Sequence, residues 1–139
     1  MRGAVDMQHD AFIGLVQNRA RLSSRGEAER ACRATLETLG ERLPEGLTDK
    51  LAAQLPHEIG EHLRRTEVYG GTGTGERFGR HDFVERIAAR AGVDERKAAY
   101  LARSVLEVVH EATQGKIIEK VEESLPPDIR ELVTAGSKG

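Results

Sequence analysis

Residues 27–56 read EAERACRATLETLGERLPEGLTDKLAAQLP, and residues 97–126 read KAAYLARSVLEVVHEATQGKIIEKVEESLP. At this offset of 70, Leu36-Glu37 aligns with Leu106-Glu107, and Leu55-Pro56 with Leu125-Pro126. Identities also fall at Ala28/Ala98, Arg33/Arg103, Glu41/Glu111, Lys50/Lys120, Ile59/Ile129 and Glu61/Glu131. Ten of the 39 positions from 24 to 62 therefore match, where composition alone gives roughly two or three. Upstream the offset becomes 71, pairing Phe12, Ile13, Val16 and Leu22 with Phe83, Val84, Ile87 and Val93, so one residue has been inserted near Ser23. Shared Ala, Glu and Leu content does not explain the coincident Leu-Pro pairs; the register reads as an internal duplication.

Each half reads as helix throughout. Phe12, Ile13, Val16 and Ala20 recur at the three-and-four spacing of one helical face, with Asp10 placed to cap the start, and Phe83, Val84, Ile87, Ala88 and Ala91 repeat the pattern. Ser24-Arg25-Gly26-Glu27 is a capping box in which hydroxyl and carboxylate each satisfy a free backbone N–H, and Pro44 stops the helix it opens. Its counterpart starts at Asp94. The apolar stripes are Ala28, Cys32, Thr35, Leu36, Leu39 and Leu43, mirrored by Ala98, Ala102, Val105, Leu106 and Val109. A shorter helix follows, carrying Leu47, Leu51 and Leu55 or Ile117, Ile118, Val121 and Leu125, and Pro56 and Pro126 then start fourth helices. Ile59 and Leu63, or Ile129, Leu132 and Val133, supply the apolar faces of these last helices. No stretch alternates with the period of two that a half-buried strand needs.

The expected fold is all-α: two pseudo-symmetric repeats of about four helices each, packed into one bundle-like domain. The repeats span 1–65 and 80–139, joined by a glycine-rich linker over 66–79, TEVYGGTGTGERFG. A unit of about 60 residues is marginal alone, so the halves are expected to share a core.

The 139 residues are 38% hydrophobic and 32% charged, with no Trp, and carry a formal charge of −2, split evenly on either side of Gly70. A chain that grips a phosphate backbone usually shows a basic surplus, and a bilayer span needs about 20 apolar residues in a row. The composition therefore argues against nucleic acid and membrane partners. The start, MRGAVDMQHD, lacks a signal-peptide core, and one Cys makes no internal disulfide, so a cytoplasmic location is expected.

The run from Phe12 resembles a bacterial family catalogued as domain of unknown function number 2267. In that family an F-x-x-x-V helix precedes EA-x-RA-x-x-A-x-L-x-x-L-x-x-RL and then L-A-x-QLP. The match falls on Phe12 and Val16, then on Glu27, Ala28, Arg30, Ala31, Ala34, Leu36, Leu39, Arg42 and Leu43. It continues on Leu51, Ala52, Gln54, Leu55 and Pro56, with a weaker second copy from Phe83 to Val133. The resemblance implies a duplicated helical fold and brings no established activity, cofactor or catalytic residue. A Trp expected in relatives soon after the first repeat is absent at Tyr69-Gly70-Gly71.

His57-Glu58-Ile59-Gly60-Glu61-His62 looks like a zinc-protease helix, but its two histidines are five apart and satisfy neither H-E-x-x-H nor H-x-x-E-H. It offers only the i, i+4 pairs His57/Glu61 and Glu58/His62. Glycines 70, 71, 73 and 75 have phosphate-loop spacing, yet Glu76-Arg77 stands where Lys and then Ser or Thr belong, and a linker is the better reading. Cys32 lies on an apolar stripe with no activating partner nearby. The basic pairs Arg64-Arg65 and Arg96-Lys97 read as solvated surface.

No catalytic set recurs and no cofactor motif is present. The leading expectation is thus a non-enzymatic module that binds a protein partner, or a second copy of itself, where the repeats meet. The competing expectation is a metal or small-molecule site in the inter-lobe cleft, using His57, Glu61, His62 and a half-buried His110.

Overall fold

The computed structural model describes residues 8–70, 78–113 and 116–137 and, within these, side chains other than those at 45, 65–70 and 133–137. Among the described residues there are eight helices and no strand: α1 His9–Arg19, α2 Arg25–Arg42, α3 Glu45–Ala53, α4 His57–Gly70, α5 Arg80–Ala91, α6 Glu95–Ala112, α7 Ile117–Glu123 and α8 Pro127–Ser137. No described helix is long and apolar enough to cross a membrane.

The caps explain most of the boundaries. Ser24 is extended and its Oγ accepts from the Glu27 N–H at 3.1 Å, opening α2. The Glu27 carboxylate reaches back to the Ser23 N–H and hydroxyl, one residue earlier than an ideal capping box. Asp94 opens α6 in the same way, accepting from the Lys97 N–H at 2.8 Å. α2 ends because Pro44 disfavours helical backbone at Leu43, which is extended at φ −90°, ψ 151°. Asp10 is not the cap of α1. The N-cap is Gln8, while Asp10 lies in the first turn and its carboxylate is taken by Arg25. The turn after α5 uses Gly92 at φ 71°, and the turn after α1 places Arg21 in the same left-handed region at φ 56°.

α2 packs against α1 and α4, and α6 against α5 and α8; α3 lies on α4 and α7 on α8. The two sets join where α2 meets α5 and α6, where α1 meets α6, and where α3 meets α7. Every residue of both expected stripes is buried, and they merge into one hydrophobic core with Phe12 and Phe83 wholly enclosed. α4 runs on to Gly70, inside the segment read as linker, and Phe78 at that segment's far end is buried. Residues 71–77, with most of the glycine run, lie outside the described residues.

One stripe position is chemically out of place. The Thr35 hydroxyl is buried, and no described residue bonds it. The position 70 residues on is Val105, also fully buried. A buried polar group without a partner forfeits about 1–3 kcal/mol of solvation. Thr35→Val, which keeps the shape, is therefore expected to raise the unfolding free energy by about 1 kcal/mol. Urea denaturation reads this directly, and a lowered midpoint would refute it.

Candidate functional site

The most elaborated polar chemistry lies along the seam between the two helical sets. Arg19, ending α1, holds two carboxylates of α6: Glu107 at 3.1 Å and Glu111 at 2.7 Å. Arg90, near the end of α5, holds two carboxylates of α2: Glu37 at 3.7 Å and Glu41 at 2.6 Å. The arginines are 71 residues apart and the glutamates 70. Arg86 adds a second contact to Glu41 at 3.0 Å, and Arg90 donates to the Thr38 hydroxyl, which itself donates to the Ala34 carbonyl. The Phe78 ring lies 4.0 Å from the Arg86 guanidinium, and its carbonyl accepts from Arg42.

Burial alone would push the Glu41 carboxyl up, but hydrogen bonds from Arg90 and Arg86, reinforced by their charges, outweigh it and hold the group below its ordinary value. A carboxylate lowered on folding stabilises the folded state above its unfolded pKa. That contribution is lost as pH falls through the lowered value. Arg19 is correspondingly raised, chiefly by its hydrogen bond to Glu111.

At one end of the seam, between the α1–α2 and α5–α6 turns, a groove of about 210 Å³ opens. Its walls include Leu22 and Val93, Glu27 and Lys97, and Ala31 and Leu101, again 71 or 70 residues apart. Arg30 joins Lys97 and Glu27 at this opening, and all three are exposed. A second cleft, about 370 Å³, lies among α1, α2 and α4 and is lined by His9, Glu29, Arg30, Arg33, Glu58 and His62 with Ile13 at its base.

The four residues weighed as candidates for a metal or ligand site lie on two helices, and no three of them hold their ligand atoms at metal-sharing distance. His57 is exposed at the start of α4, Glu61 accepts from Arg64, His62 is half-buried in the larger cleft, and His110 is on α6. His110 is exposed rather than half-buried, because the α6 face carrying Val105, Val108, Val109 and Ala112 turns it to solvent. Among the described residues, the group of three placed to share a metal ion is His81, Glu85 and Glu95. Cys32 is wholly buried, and desolvation, with Glu29 adding to it, pushes its thiol up to about 12, so it stays protonated at neutral pH. Of the basic pairs, Arg64 is tied to Asp49 at 2.9 Å and to Glu61, whereas Arg96 and Lys97 are exposed.

Sequence reading missed the two arginine clamps, although their signal was present. Arg19 and Arg90 align at the offset of 71 that already pairs Phe12 with Phe83, and both glutamates of each clamp were among the matched positions.

No curated protein matches the chain. The model of a family described as uncharacterized conserved proteins, DUF2267, matches residues 9–132, from the first residue of α1 into α8. With a match over nearly the whole described fold, the chain belongs to the DUF2267 family.

Proposed function

We propose that the chain is a non-catalytic interaction module, made of two copies of one four-helix unit facing each other across a pseudo-twofold seam. In this reading it docks a short protein segment in the groove at the seam's open end. The observation that carries it is reciprocity. Arg19 clamps Glu107 and Glu111 as Arg90 clamps Glu37 and Glu41, which is the pattern of an isologous interface written into one chain. The left-handed pair Arg21 and Gly92, also 71 apart, supports the same register. The groove lies where equivalent positions of the two units converge. Protonated Cys32 leaves the chain's one thiol without nucleophilic character at neutral pH.

The groove also limits what binds. A volume near 210 Å³ accepts one large apolar side chain against Leu22, Val93 and Leu101, not a whole helix face. Arg30 and Lys97 outnumber Glu27 at its edge, which favours acidic residues flanking that anchor. Among the described residues the only exposed large hydrophobic is Tyr100, so a broad apolar docking face has no support and a small polar-rimmed contact does.

The test places a photo-crosslinking residue at Leu22 in the living host. The expected product is an adduct to one partner, or to a second copy of the chain, lost when Lys97→Glu reverses the edge charge and undiminished by Arg96→Glu on the same exposed turn. A strictly monomeric chain yielding no Lys97-dependent adduct would sink the proposal.

A further inference from the structure

His81 and Glu85 stand one turn apart on α5, so their i, i+4 spacing puts them on one face, and Glu95 is the first residue of α6. The fold brings one ligand atom from each, an imidazole nitrogen and two carboxylate oxygens, within 4.8 Å of one another. All three side chains are exposed. Among the described residues, no lysine or arginine pairs with either carboxylate.

The matching place in the first four helices is closed differently. Asp10, 71 residues before His81, pairs with Arg25, 70 residues before Glu95. Gly14, 71 residues before Glu85, adds no side chain there. One helix pair is thus tied by a carboxylate and a guanidinium. The other presents two carboxylates and an imidazole with no cation of the described chain between them.

We propose that a divalent cation, best matched by Zn²⁺, binds between α5 and α6 on His81, Glu85 and Glu95, where the Arg25 guanidinium sits between α1 and α2. One nitrogen and two oxygens leave a fourth tetrahedral position for water, a ligand set suited to zinc. Calcium and magnesium prefer all-oxygen shells, which the imidazole breaks. Ligands about 2.0–2.1 Å from a tetrahedral zinc lie about 3.3 Å from one another. The present spacing closes to that by at most about 1.5 Å, a movement open to exposed side chains through rotamer changes. The cation ties α5 to α6 and leaves an exchangeable position facing solvent.

Calorimetric titration of the full chain with zinc chloride in a non-chelating buffer tests this. One zinc per chain is expected, with affinity falling about tenfold or more in His81→Ala and in Glu95→Gln. Substituting His57, His62 and His110 together by alanine is expected to leave binding unchanged. Glu95→Arg supplies the cation covalently, so its melting temperature without zinc is expected to exceed the native chain's and not to respond to zinc, whereas the native chain's rises. The inference is overturned by no binding to the native chain, by binding that survives His81→Ala, or by binding lost only in the triple histidine variant.

Discussion

Truncating Phe12 to alanine is expected to lower the unfolding free energy by about 3–5 kcal/mol, and truncating Phe83 to alanine by a similar amount. Both rings are completely buried, one on α1 and one on α5, so each deletion loses the transfer energy of the ring and leaves a cavity. For a chain of this length each kcal/mol moves the melting temperature by roughly 3–4 °C, so a fall of about 9–20 °C is the expected reading. The near-equality of the two costs is the informative part. The two rings stand 71 residues apart in the sequence and share one continuous core, so either loss is felt throughout that core. A single unfolding transition in both variants is expected, lowered by comparable amounts. A two-step melt, or one phenylalanine costing under about 1 kcal/mol, would contradict a shared core built from paired anchors.

The second large effect is expected at Gly60. This residue is buried where α4 crosses α3, and a Cβ placed on it would lie 2.6 Å from the Ala52 carbonyl oxygen and 3.2 Å from the Ala52 Cβ. The nearest obstacle is backbone, so no side-chain rotation relieves the contact and the two helices must separate. Overpacking of this kind costs about 1–3 kcal/mol, and a rigid backbone neighbour places Gly60→Ala at the upper end. Gly14→Ala is the control. It lies on the exposed face of α1 with open space around it and is expected to stabilise by about 0.5–1 kcal/mol through helix propensity. Thermal melts of the two variants moving in opposite directions would show that tight packing, and not helix flexibility, requires glycine at 60. Equal shifts would show that it does not.

The helices were legible in the sequence because their determinants are local. Ser24, Asp94 and Pro44 set the ends of α2 and α6 by contacts within four residues, and the three-and-four spacing of Leu36, Leu39 and Leu43 identified the buried face. Asp10 was misjudged for the converse reason. Its partner, Arg25, is 15 residues away, and a charge pair that distant competes with capping without leaving a local trace. Thr66, Glu67, Val68 and Tyr69 carry no helix stop, and α4 runs through them to Gly70, inside the segment read as linker. The candidate site was harder still. His81 and Glu85 have visible helical spacing, but Glu95 reaches them only through the path of the α5–α6 turn. The arginine clamps depend on which helices face each other, which periodicity alone does not specify.

The buried Cys32 also makes the chain a convenient reporter of its own opening. It is the sole cysteine of the sequence, wholly enclosed on α2 against the shared core, and its thiol is held protonated. An alkylating reagent reaches it only when that helix is released. The labelling rate therefore follows exposure of the centre of the molecule. A cysteine introduced on the surface for a fluorophore or spin label would react selectively in the folded state, with the native residue left in place.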